Sequence, residues 1–186
     1  ENLSLSDTFS DPANGGTLVV SDGFGARNQY YGAQVGLRAS LDLGRWFIDT
    51  NARIALGMNH QTLNIAGVTT VNGSAFGFPD GATPGGVFGQ PSNIGSVRRD
   101  VFAYVPDGEI RVGYELTQGI RLFFGYQFVY LSNVIRPGQQ IDRNINPTQN
   151  TFFAVPPTVG PLAPLPTFRS TDFWVQGINI GFECRF

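Results

Sequence analysis

The sequence predicts an all-β fold, an antiparallel up-and-down transmembrane β-barrel, and three observations predict it. Several long stretches alternate with a period of two, and one phase of each is apolar and free of Asp, Glu and Arg. Connections alternate between short turns at 43–45 and 117–119 and long loops at 11–26, 62–98 and 135–167. Aromatics on the apolar phase gather at two levels, Trp46, Tyr114 and Phe186 near the short turns and Tyr31, Tyr104, Tyr130 and Trp174 about ten to twelve residues away. At ~3.3 Å per residue and a tilt of ~40°, that separation is about 25–30 Å, the height of a bilayer's apolar band.

Composition agrees. Charged residues make up 14% of the 186 and aromatics 13%, and no stretch reaches the ~18 consecutive apolar residues of a membrane helix. A net charge of −2 argues against a nucleic-acid surface. All twelve cations are Arg and none is Lys, which favours fixed, bidentate pairing with carboxylates. Cys184 is the single cysteine, stands in an apolar phase and reads as a small hydrophobe.

Taken in order, residues 1–10 alternate with Leu3, Leu5 and Phe9 on one side and form a first strand. DPANGG (residues 11–16) is turn chemistry and opens the first long loop. The second strand, 27–43, carries Tyr31, Ala33, Val35, Leu37, Ala39, Leu41 and Leu43 against Gln34, Arg38, Ser40 and Asp42. The third, 45–61, returns with Trp46, Ile48, Ile54, Leu56 and Met58 against Arg45, Asp49 and Arg53. TLNIAGVTTV (62–71) changes phase and reads as a small hairpin turning at Ala66-Gly67, and 72–96, rich in Gly and Pro, reads as a structureless loop. A fourth strand, 99–116, contains Pro106, which predicts a bulge or local break. A fifth, 120–134, sets Ile120, Leu122, Phe124, Tyr126, Phe128, Tyr130 and Val134 against Arg121, Phe123, Gln127, Val129, Leu131 and Asn133. After the proline-rich loop, 170–186 closes the chain, and from Trp174 onward Gln176 alone breaks its apolar phase.

The segments RNQYYGAQVGLRA, LGRWFIDTNARIALGMNHQ, GQPSNIG, FAYVPDGEIRVGYELT, GYQFVYLSNVIRPGQQIDRNINPTQ and TDFWVQGINIGFECRF resemble the planctomycete-type family of predicted outer-membrane β-barrel proteins. The resemblance covers most of the chain from Arg27 onward and implies a barrel in the outer membrane of the Gram-negative cell envelope, with no known activity. It implies that the chain is the C-terminal part of a longer barrel, and that Phe182 and Phe186 belong to the signal read by the barrel assembly machinery. Strand number supports this independently: six strands fall short of the ~8, in even number, of a single-chain barrel, so either N-terminal strands precede Glu1, the favoured expectation, or several chains build one barrel. With that topology, Glu1 and Phe186 are both expected on the periplasmic side.

The inward phase carries Arg38, Asp42, Arg45, Asp49, Arg53, Asp107, Glu109, Arg111, Glu115, Arg121, Glu183 and Arg185, six cations and six carboxylates, mostly toward the short-turn end. Ala55, Gly57, Val101, Ala103, Val105, Val129, Leu131, Phe173 and Val175 make the rest of that phase small or apolar. This predicts a lower lumen plugged by Arg–carboxylate pairs and a more apolar upper chamber. An open charge-selective pore would instead carry an excess of one sign.

No catalytic, cofactor or metal site is expected. The single histidine, His60, falls at the outer rim in phase with Met58. Asp7, Asp11, Asp22 and Asp80 show no metal-ligand spacing, and GxxxxGK[ST] is absent. The expected function is a structural or surface-display barrel with a largely plugged lumen and long extracellular loops that contact partners. The alternative is a channel or binding barrel for small apolar solutes, and a barrel hydrolase is the weakest reading. Expected partners are outer-membrane lipid, the assembly machinery and, through the loops, other envelope proteins, with no nucleic acid.

Overall fold

The computed structural model describes residues 1–13, 15–150 and 159–184. They form an antiparallel sheet of β1 (Asn2–Ser10), β2 (Thr17–Leu43), β3 (Trp46–Asn72), β4 (Gly81–Pro84), β5 (Gly95–Thr117), β6 (Ile120–Ile135) and β7 (Ser170–Cys184). The order is β1-β2-β3-β5-β6-β7, with β4 paired to β3 off this path. Sequential neighbours that reverse direction are the up-and-down topology expected from the alternation. Gly44, between β2 and β3, has φ 69°, a left-handed conformation that Gly takes without steric cost in a two-residue turn.

Several boundaries differ from expectation. β2 takes in 17–26, which reads as loop, because Leu18, Val20, Phe24 and Ala26 share one buried phase. β3 continues without a turn through Ala66-Gly67 to Asn72. Gly67 marks a close approach instead: its carbonyl accepts from the Gly85 amide at 2.9 Å, and a Cβ there would strike the Gly89 carbonyl. The segment 72–96 is not structureless. It contains β4, whose residues Gly81–Pro84 pair with Val71–Val68, and a bonded turn before β5. Finally, β1 pairs only with the N-terminal part of β2, Asn2↔Gly25 through Ser10↔Thr17, so Glu1 sits beside Ala26 rather than at the short-turn end. Phe186, its expected companion there, lies outside the described residues.

The chain divides into two compact units, each containing parts of several strands. The first comprises Glu1–Asn28, Gln61–Arg99 and Ile135–Ser170. One of its apolar clusters joins Phe24, Ala26, Leu63, Ile65 and Ile135, with Leu3, Phe88, Ile141 and Phe168 packed against them. A second joins Leu18, Val20, Val71 and Ala75 with Phe78. Each large side chain buried there contributes about 1.5–3 kcal/mol relative to exposure.

Buried polar side chains hold this unit's loops. Asp22 accepts from the Gly89 amide through Oδ1 at 2.7 Å, and from Val87 and Phe88 through Oδ2 at 3.1 and 3.2 Å. A side chain on Gly86 would run into Asp22 Oδ1. Asn93 accepts from the Gln90 amide at 2.8 Å, and Gln90 donates to the Gly86 carbonyl and to that of Val87 at 3.1 Å. In the long loop that follows β6, Gln140 donates to the Arg169 carbonyl at 2.8 Å and accepts from the Arg169 amide at 3.0 Å. Asp142 accepts from the amides of Asn144 and Leu165, each at 3.0 Å.

The second unit comprises Gln29–His60, Asp100–Val134 and Thr171–Phe186. Its apolar phase is exposed: Leu37 at 74%, Ile180 at 79% and Phe182 at 70% stand out among many. The ladder of β5 with β6 runs from Asp107↔Val129 to Thr117↔Ile120, with a bulge between Glu115 and Thr117. This ladder begins at the residue after Pro106. On the other side of the proline, side chains bond the β5 main chain, with Ser132 Oγ accepting from the Tyr104 amide and Asn133 Nδ2 donating to the Phe102 carbonyl, both at 2.9 Å. Asn133 has φ 55°, so the alternation of β6 is interrupted there. Val134, expected on the outward phase, is 7% exposed for that reason.

Candidate functional site

The candidate site is the inward phase of the second unit. Strand alternation places Asp49 and Arg53 of β3, Asp107, Glu109, Arg111 and Glu115 of β5, Arg121 of β6 and Glu183 of β7 on one face. Arg111 is the hub. Its guanidinium lies 3.4 Å from Asp49 Oδ2 and 3.7 Å from both Glu109 Oε1 and Glu183 Oε1. Ser40 donates to Asp49 at 2.5 Å, and Asn179 donates to Glu109 at 3.4 Å. Two further pairs stand apart: Arg53 with Asp107 at 2.7 Å, and Arg121 with Glu115 at 3.7 Å. The first is a charge-assisted hydrogen bond by its length, whereas the hub contacts are longer-range ion pairs that together fix one cation among three anions.

Two aromatics that the sequence places on the inward phase, but outside the expected charge set, complete the face. Phe47 is 5% exposed, its ring lies against Gly113 of β5, and the Arg121 guanidinium stands 5.2 Å from its centroid. Phe123 lies over Gly181 of β7, with Arg111 5.7 Å from its centroid. Each aromatic covers a strand glycine and offers its π face to an arginine. The signal was present in sequence as an inward aromatic beside a neighbouring strand's inward Gly, but pairing them requires the register.

A polar cavity of about 350 Å³ is lined by Arg38, Asp42, Asp49, Arg111, Arg121 and Glu183, among others. Arg38 and Asp42 face it without an ion pair among the described residues. Arg45, expected in the inward set, is elsewhere: its guanidinium bonds the Tyr114 hydroxyl, which holds its pKa above the ordinary arginine value. It occupies the turn, where strand alternation does not apply. Arg185 lies outside the described residues. Of the small and apolar inward set, Ala55 and Ala103 are buried, while Val129, Phe173 and Val175 are exposed.

On the outward phase, Trp46 and Tyr114 meet edge to face at 4.9 Å, and Tyr104 and Tyr130 stack at 5.7 Å. Tyr31 and Trp174 are exposed, as is Phe182, and Phe186 is outside the described residues. Polar groups on this phase have partners. Gln176 accepts from the Tyr126 hydroxyl at 2.6 Å, and Asp172 is hydrogen-bonded to Tyr130. The Tyr126 bond offsets the desolvation of Gln176, the one amide that interrupts the apolar run.

His60 Nδ1 bonds the Asp100 carboxylate, and no serine hydroxyl reaches the ring among the described residues. Among the described residues, no three His, Cys, Asp or Glu side chains gather as a metal site would require. Among the described residues no helix is long and apolar enough to cross a membrane, which says nothing of strands.

A family model described as Putative beta barrel porin-7 (BBP7) matches residues 1–186. Neither a curated protein nor a solved structure matches the chain. A family match over the full length, on an antiparallel sheet with an apolar exposed phase and a charged opposite phase, shows that the chain belongs to this β-barrel porin family.

Proposed function

With membership in a porin-like barrel family as the premise, we propose that the protein is a non-enzymatic outer-membrane barrel whose lumen is braced by the Arg111-centred charge network and whose folded loop unit contacts partners outside the cell. The observation that carries the reading is the pairing of charge on the inward face, where five carboxylates each have an arginine within 3.7 Å. Arg111 is shared by Asp49, Glu109 and Glu183, and Arg53 and Arg121 each hold a carboxylate of their own. A face whose carboxylates are held by arginines resists passage of either sign, whereas a selective pore lines its path with unpaired charge of one sign. The first unit supports a contact role, since its loops are pinned by buried Asp22, Gln90 and Gln140 and present a shaped surface.

Conductance of the full-length protein in planar bilayers tests this. Small or absent steady current is expected, and a large ohmic pore would sink the braced lumen. Arg111→Ala should raise the current by loosening three carboxylates at once.

A second reading, passage or binding of small apolar solutes, is favoured by the family's description and by exposed Val129, Phe173 and Val175 on the inward phase. It expects uptake of an apolar probe to be lost in Val129→Glu while the outer-membrane level of the protein is unchanged.

A further inference from the structure

We infer that the first unit binds a phosphate monoester group in a cavity of about 510 Å³ bounded by Gly138, Gln139, Ile141, Arg143, Arg169 and Ser170. This narrows the contact role given to that unit to one chemical class, and rests on that reading only for where the ligand is met. The unit's buried carboxylates are committed to main-chain amides. Asp11 accepts from Ala13 and Phe76 at 2.9 and 2.7 Å, Asp22 from residues 87–89, and Asp142 from Asn144 and Leu165. The arginines are left without acids. Among the described residues Arg27, Arg98, Arg99, Arg143 and Arg169 enter no ion pair, whereas Arg53, Arg111 and Arg121 of the second unit each meet a carboxylate.

The cavity wall is held from beneath. Arg143 and Arg169 are exposed, but their main chain is fixed. Asp142 spans Arg143, taking the Asn144 amide on Oδ1 and the Leu165 amide on Oδ2, each at 3.0 Å. Fully buried Gln140 bonds both the amide and the carbonyl of Arg169, at 3.0 and 2.8 Å. A third arginine acts through Ser170. Arg99 lies 4.6 Å from the Phe168 ring centroid, donates through Nε to Gln61 at 2.7 Å, and through Nη2 to Ser170 Oγ at 2.6 Å. A hydroxyl carries one hydrogen, and with Oγ accepting from Arg99 that hydrogen is left to donate to a ligand.

Among the described residues no carboxylate lines this cavity, and every polar side chain that does so can donate: Gln139, Arg143, Arg169 and Ser170. The lining therefore suits an oxyanion, and charge selects which. Arg99, Arg143 and Arg169 stand against Asp142, whose charge acts on Arg169, so two positive charges are left over. A phosphate monoester brings about −1.5 to −2 at pH 7 on three acceptor oxygens, whereas a carboxylate brings a single charge. Two guanidinium forks and a hydroxyl also suit a tetrahedral group, while one fork already satisfies a planar carboxylate. A phosphate occupies only part of the space, which leaves Ile141 and Gln139 to meet the alcohol portion of the ester.

Calorimetric titration of the purified full-length protein in phosphate-free detergent micelles tests this, with inorganic phosphate, glucose 6-phosphate and the singly charged glucose 6-sulfate as probes. Saturable binding of a phosphate probe is expected, with the sulfate ester weaker. Arg143→Gln and Arg169→Gln should each weaken phosphate binding about tenfold or more. Both side chains are exposed, so these variants keep the fold, and Arg27→Gln, at a different cavity, should bind as the parent does. Micelles doped with phosphatidic acid separate the sources. Binding of that lipid, reversed by inorganic phosphate, identifies a lipid headgroup, whereas binding of glucose 6-phosphate alone identifies a soluble sugar phosphate. No saturable phosphate binding, equal binding of glucose 6-sulfate, or undiminished affinity in both arginine variants would each overturn the inference. A large conductance would remove the braced lumen and leave the phosphate site standing.

Discussion

In the first unit the even-numbered side chains of β2 from Leu18 to Ala26 are buried, and all but Asp22 are hydrocarbon: Leu18, Val20, Phe24 and Ala26. In the second unit the even positions of the same strand are Gln34, Arg38, Ser40 and Asp42, and the hydrocarbon has moved to the odd positions, where Val35 and Leu37 are 69% and 74% exposed. β3 does the reverse count with the same outcome. Ile54, Leu56 and Met58 are even and exposed, whereas Leu63, Ile65 and Val71 are odd and buried. The geometric phase of β3 is unbroken between them, so only the chemistry changes side. One unit is ordered as a protein in water, with apolar groups packed together. The other is ordered as a protein in hydrocarbon, with apolar groups outside and ions within. Amide side chains bond the main chain within each unit. Asn28 bonds both the amide and the carbonyl of Ile135 in the first unit, and Asn59 donates to the Asn133 carbonyl in the second.

Substitutions can break or sharpen this contrast. The largest effect is expected from Leu63→Ala, since Leu63 is fully buried and a cavity there costs about 2–5 kcal/mol. Proteolysis within 72–98 should accelerate while membrane assembly persists. Loss of assembly would show that the units do not differ as described. Next is Phe128→Arg, 41% exposed on the outward phase, where a cation at the bilayer midplane costs about 2–4 kcal/mol. Assembly into membranes should fail, whereas Gln127→Arg on the opposite phase should assemble. Equal tolerance of the two would refute the facing assignment.

Asp22→Ala should leave the buried Gly89 amide without its acceptor, a cost of about 1–3 kcal/mol, and exchange of the 87–89 amides should rise with no change in the second unit.

The smallest effect concerns Asp142. Burial raises its pKa, but the amides of Leu165 and Asn144 and the charge of Arg169 outweigh burial and hold it below the ordinary aspartate value of about 3.9. A depressed folded pKa means that its contribution is complete above about pH 4 and is lost as pH falls through the lower folded value. Exchange near Leu165 should therefore quicken below that point. In Asp142→Asn the acid-dependent step should vanish.

The second unit was legible because lipid punishes every departure from alternation, so Tyr31–Leu43 and Ile120–Tyr130 spell out their faces residue by residue. The first unit was not. GGVFGQPSNIG has the composition of a structureless loop, and what orders it is Asp22, more than sixty residues away, reaching main-chain amides that carry no signature in sequence. The Ala66-Gly67 step was misread because Gly marks both turns and close approaches, and only the contact with Gly85 and Gly89 tells them apart. The end of β6 was misread because the left-handed turn of Asn133 shifts its neighbours. Within the site, the charges were legible as a set, but their grouping into a hub and two pairs depended on cross-strand register.

The grip of Asp22 on the 87–89 segment is made wholly through main-chain amides. Such a grip is indifferent to which side chains those residues bear. Phe88 is still committed, because it packs against the first apolar cluster, but Val87 is 43% exposed. Position 87 is therefore where natural variation, or a grafted peptide tag, can change what this unit presents while the backbone beneath it keeps its course.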